Sequence, residues 1–166
     1  MDRRVICVEV DSGKELWSQT VGDKTEQAVG VRSDGEGVYV ILTKFAAMDR
    51  GARMMRLDLK TGAQRWTSPV MKDSNARDWQ VGKDFLAVLV DRWKIEKLND
   101  AGALRQQNLD SAVFCIDKST GQVVQELTLK SDTGAPGMSR PFRIIPVDDM
   151  LWVSYQDKMV GLKGPR

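Results

Sequence analysis

The chain of 166 residues contains no histidine. That absence removes the commonest general base and metal ligand among side chains. Ser-His-Asp and Cys-His catalysis and histidine-ligated metals are therefore excluded within it. Cysteine is almost as scarce, with Cys7 and Cys115 alone and no CxxC pair. No G-x-G-x-x-G or Walker-type loop is present to cradle phosphates. No apolar run approaches the ~20 residues that cross a bilayer as a helix, so membrane insertion is not expected. Residues 1–10 lack both an uninterrupted apolar stretch and a small-residue cleavage site, so no signal peptide is expected. Charge of one sign is missing too. A net charge of +2 gives no electrostatic reason to expect nucleic acid or an anionic membrane as partner.

What is present is an ordinary globular balance, 42% hydrophobic and 29% charged, enough for a sizeable core. A repeat also runs through it. VICVEVDSGKELW from Val5 returns as MMRLDLKTGAQRW from Met54 and as VFCIDKSTGQVVQ from Val113. The copies align on Gly13, Gly62 and Gly121, spaced 49 and 59 residues apart. An acid precedes each glycine by four residues: Glu9, Asp58 and Asp117. Ser12, Thr61 and Thr120 stand immediately before the glycines. Trp17, Trp66 and then Gln125 follow them by four. A period of this length is the mark of a stacked repeat architecture.

Each copy reads as a β-hairpin. Glycine supplies the positive φ of a tight turn, and the hydroxyl residue before it can bond nearby backbone. A lone hairpin is marginal in water, so the tryptophan on the outgoing strand implies a neighbouring sheet to bury it.

These residues resemble the repeat of quinoprotein, or PQQ-like, β-propellers, small-x-acid-x-x-[ST]-G-x-x-x-W, the tryptophan-docking motif. The resemblance implies that the tryptophan of one blade packs on the next. The small position falls on Cys7 and Cys115, and on Arg56 as a departure. The tryptophan is kept at Trp17 and Trp66 and lost at Gln125. With the strands between, the resemblance covers nearly the whole chain.

The expected fold is all-β: a partial propeller of about three four-stranded antiparallel blades, an open ring of thirteen strands. Residues 3–20 form half a blade, 27–68 a blade, 78–129 a blade and 142–163 an incomplete one, within a single domain over 1–166. Residues 44–51 and 131–141 read as loops. Residues 92–110 lengthen the second spacing, and Ile95, Leu98, Ala101 and Leu104 suggest one or two helical turns there. A closed propeller needs about four to eight blades. The chain is thus expected to be a segment of a longer propeller, or to complete its ring by self-association.

The candidate chemistry is sparse. Glu9, Asp58 and Asp117 stand where turn geometry needs an acceptor. Asp148-Asp149 and Asp34/Glu36 read as solvated turns, and Trp79 and Trp152 as inter-blade core. Arg92-Trp93-Lys94 is a candidate partner contact, since Trp and Arg are enriched in hot spots. Quinoprotein dehydrogenases hold PQQ on the propeller axis with a tryptophan floor, a disulfide between adjacent cysteines, and Ca²⁺ bound by Glu, Asn and Asp. This chain has no adjacent cysteines, and no cofactor is expected. The first expectation is a non-catalytic scaffold or sensor module binding protein or peptide. The second is a fragment of a PQQ-dependent alcohol or sugar dehydrogenase, with PQQ and Ca²⁺ held in missing blades. Only the resemblance suggests a periplasmic or extracytoplasmic location.

Overall fold

The computed structural model describes residues 3–46, 49–98, 104–129, 141–156 and 158–165. Among them there is no helix, and fourteen strands form four antiparallel sheets. The first sheet pairs β1 (Arg4–Val8) with β2 (Glu15–Thr20). The second runs β3 (Glu26–Ser33), β4 (Val38–Ala46), β5 (Asp49–Leu57) and β6 (Gln64–Thr67). A two-residue strand, β7 (Met71–Lys72), adds to β5 and makes the count one more than expected. The third runs β8 (Ser74–Val81), β9 (Phe85–Lys97), β10 (Leu104–Asp117) and β11 (Val123–Leu129). The fourth holds β12 (Arg143–Val147), β13 (Met150–Ser154) and β14 (Met159–Lys163).

The core lies between the sheets. Along β4, Val38, Val40 and Leu42 face the first sheet and pack with Val5 and Trp17. Tyr39 and Ile41, on the opposite face, pack with Leu86, Val88 and Val90 of β9. Phe85, Ala87 and Leu89 then meet Ile144, Leu151 and Val153 of the fourth sheet. Period-two alternation sends adjacent residues to opposite faces, so a strand between two sheets is apolar at every position. That is why β4 and β9 begin as near-continuous hydrophobic runs.

Two local expectations are corrected. Residues 92–110 are not helical where described. The ladder of β9 and β10 continues outward to Lys97 opposite Leu104. The helix-like spacing competed with a hairpin already zipped from Phe85, and each further pair adds ladder bonds for little extra loop-closure cost. Likewise 44–51 is mostly strand, with Ala46 paired to Asp49. The loop expected at 131–141 falls almost wholly outside the described residues. Trp79 is buried between the second and third sheets, but Trp152 stays 38% exposed on the outer face of the fourth. Cys7 and Cys115 are free thiols in different sheets. Burial pushes the Cys115 thiol up to about 11, so it remains a small protonated core residue.

Candidate functional site

The three repeated corners share one geometry. Glycine takes φ of +68° at Gly13, +72° at Gly62 and +76° at Gly121. The N–H of each glycine donates to the carbonyl of the acid four residues before it. The acid side chain closes the turn. Asp58 Oδ1 accepts from the N–H groups of Lys60 and Thr61 and from the Thr61 hydroxyl, all within 3.0 Å. Asp117 Oδ1 does the same with Ser119 and Thr120. Glu9, one methylene longer, is reached by the Ser12 hydroxyl. The hydroxyls and N–H groups of Ser119 and Thr120 hold the Asp117 carboxyl down at about 2. Asp58 is lowered further, first by Arg65 and then by Thr61. Hydrogen bonds to the charged form produce these shifts. The acids are spent on turns, and Asp117 also lines one edge of a cleft.

Each indole leaves its own hairpin and lies on the next corner. Trp17 Nε1 donates to the Leu59 carbonyl at 3.0 Å, and a Cβ built on Gly62 would come within 2.5 Å of the Trp17 ring. Trp66 repeats this on the third hairpin, with Nε1 donating to the Lys118 carbonyl at 2.9 Å and its ring 2.7 Å from where a Gly121 Cβ would be. Glycine is thus needed twice over, for its φ and for the close approach of the ring. At the third step Gln125 replaces the indole and reaches Lys163 O at 3.4 Å, a long bond.

A polar brace, unforeseen from the sequence, joins the second and third sheets. Lys118 is only 6% exposed, yet its ammonium lies 2.7 Å from Asp34 and donates to Lys83 O at 2.8 Å. Burial works against this charge, but the hydrogen bond to Asp34 and the nearby acids outweigh it and raise the lysine's pKa. Arg56, the departure from the small position, donates to the carbonyls of Lys118 and Glu36. It thereby seconds the Trp66 bond to the same carbonyl. The available signal was positional: Lys118 stands three residues before Gly121, where the indole acceptor belongs.

Arg92, Trp93 and Lys94 are distributed rather than joined into one patch. Arg92 clamps three strands, bonding Asp110 of β10 in bidentate fashion and Glu126 and Thr128 of β11. Trp93 is half-buried beside it, and its indole N–H has no acceptor among the described residues. Lys94 is exposed and pairs with Glu96 at 2.6 Å. Beyond Arg92 the β9–β10 ribbon extends as an arm, with Leu98 exposed past its last pair.

A cleft of about 330 Å³ opens between the third and fourth sheets, lined by Lys83, Asp84, Asp117, Val124, Asp148 and Asp149. Among the described residues, no group of three or more Cys, Asp or Glu is arranged to hold a metal ion. No helix there is long and apolar enough to cross a membrane.

Over residues 1–124 the sequence matches the family of outer membrane protein assembly factor BamB. The chain belongs to that family. Its structure is similar to the crystal structure of BamB from Moraxella catarrhalis, with a TM-score of 0.57 at 12% identity, over 98% of this chain. That likeness establishes the PQQ-like β-propeller fold read from the repeats. The chain spans 44% of the length of that BamB. No curated protein matches it in sequence.

Proposed function

We propose that this BamB-family segment is a non-catalytic scaffold that binds a protein partner through the β9–β10 arm. The arm carries the reading. It is where the chain departs from the repeat, and it leaves the inter-sheet core to stand outside it. Arg92 braces its base across β9, β10 and β11, so the outer strands are presented on a rigid mount. Exposed Lys94 and Leu98 and half-buried Glu96 offer both polar and apolar contact. The family's naming as an outer membrane protein assembly factor supports a protein as the ligand class and an extracytoplasmic location.

The test places a photo-crosslinking residue at Glu96 and, as a control, at Lys60 on an exposed corner. A discrete adduct with a second polypeptide at position 96 alone is expected. Equal labelling at both positions, or none, contradicts the proposal. The quinone-dependent dehydrogenase reading predicts saturable dye reduction by alcohols once PQQ and Ca²⁺ are added. That result would end the scaffold reading.

A further inference from the structure

The arm has one edge that the rest of its sheet leaves unpaired. β8 begins with Ser74 opposite Arg92, while β9 runs on to Lys97. Elsewhere the overhang is shorter. In the second sheet β3 begins opposite Lys44 and β4 ends at Ala46. In the fourth, β12 begins opposite Ser154, the last residue of β13. The Trp93 N–H donates to the Asp73 carbonyl at 2.7 Å, so at Trp93 the main-chain groups of β9 point to the β8 side. Alternation along a strand then points the N–H and C=O of Ile95 and Lys97 the same way, and those of Lys94 and Glu96 towards β10. Among the described residues, no strand pairs with Ile95 or Lys97 on that side.

Folded proteins commonly guard such an edge with charges or a covering segment. Here the charges run along the ribbon instead. Lys94 pairs with Glu96 of the same strand at 2.6 Å, and Glu96 stands opposite Arg105 of β10. The chain also shows that an outer edge of this kind accepts a strand. Beyond the end of its pairing with β6, β5 is met by β7, whose Met71 and Lys72 pair with Ala52 and Gly51. We propose that the partner polypeptide docks by strand addition: an extended segment of it pairs with β9 at Ile95 and Lys97 and prolongs the third sheet past the start of β8. This rests on the arm being the partner site, and it names what is recognised there. Main-chain groups of an extended segment supply the contact, and side chains on the two faces of the ribbon select among segments.

The photo-crosslinked adduct at position 96 is the readout, and proline on the open edge is the perturbation. Ile95→Pro deletes an N–H that faces outward and none that bonds β10, a place where a strand tolerates proline. Lys97→Pro repeats this at the outer end of the ladder, and circular dichroism checks that each variant folds. Adduct yield is expected to fall about tenfold or more in each, since an edge donor is lost and the carbonyl it met is left unpaired. Ile95→Val, which keeps the N–H, should crosslink like the parent chain. Undiminished crosslinking in the proline variants, or an equal loss in Ile95→Val, overturns strand addition while leaving the arm as the partner site. No adduct in the parent chain overturns both. Amide hydrogen exchange on the purified chain checks the edge itself. Ile95 and Lys97 should exchange with little protection, and Lys94 and Glu96, bonded to β10, more slowly. Strong protection at Ile95 and Lys97 would show the edge already covered, and would overturn the proposal.

Discussion

The interface between the second and third sheets and that between the third and fourth come from one repeat but are closed by different chemistry. At the former, Trp66 lies on Gly121 and gives its N–H to Lys118 O, and Arg56 adds a second bond to that same carbonyl. Lys118 fills the space beside them and meets Asp34. At the latter, Gln125 makes one long bond, and small Cys115 stands opposite it in place of Arg56. Gln125 Oε1 is buried without a partner among the described residues. Behind it a cleft opens where the other interface is filled. The indole supplies area and a directed donor in one rigid group. An amide supplies the donor but too little area to close the gap. The aliphatic cores of both interfaces are buried, so the repeat's apolar strands bring the sheets together and the corner decides how completely they seal.

The comparison can be broken most severely at Trp66. Trp66→Ala should lower stability by about 3–5 kcal/mol in urea denaturation, since it removes both area and donor. A loss below about 1 kcal/mol would mean the ring is not docked. Next comes a paired test of the corners. Gly121→Ala must adopt φ of +76° and also displace the Trp66 ring, so a loss of about 2–4 kcal/mol is expected. Gly13→Ala carries the same φ penalty with open space around it, and should cost about 1–2 kcal/mol. Similar losses at both would show that only turn strain matters.

A subtler effect concerns acid. The Asp117 pKa is lowered from 3.8 to about 2 in the fold, so its contribution is complete above the unfolded value and is lost as pH falls towards the folded one. Melting curves should show Tm declining from about pH 5 to about pH 2, and less steeply in Asp117→Asn. An unchanged slope would remove the carboxylate from the account. The smallest effect is expected for Gln125→Ala, below about 1 kcal/mol, because its single hydrogen bond is long.

What was legible in the sequence was what local chemistry dictates. The glycine corners, their acids and hydroxyls, and the two-faced strands β4 and β9 follow from turn geometry and period-two patterning. That Trp17 and Trp66 need a neighbouring sheet follows as well, since neither ring has a partner within its own hairpin, whereas their docking on the next blade was implied by the resemblance to the propeller repeat. The arm was misread because Ile95, Leu98, Ala101 and Leu104 fit a helical period, whereas the outcome was set by zipping from a hairpin whose partner strand lies across a turn. The Lys118 brace was invisible for a related reason. Its partners Asp34 and Lys83 are distant in sequence, and only stacking of the sheets brings them within reach. Trp152 looked like core because it is aromatic on a central strand, but no sheet among the described residues lies against its face.

A double-mutant cycle on Trp66→Ala and Gly121→Ala, followed by urea denaturation, addresses sheet docking most directly. Direct contact of ring and corner predicts losses that fall short of additivity by at least about 1 kcal/mol, while the parallel cycle on Trp17→Ala and Gly13→Ala stays additive. Additive losses in the Trp66 cycle would contradict the account.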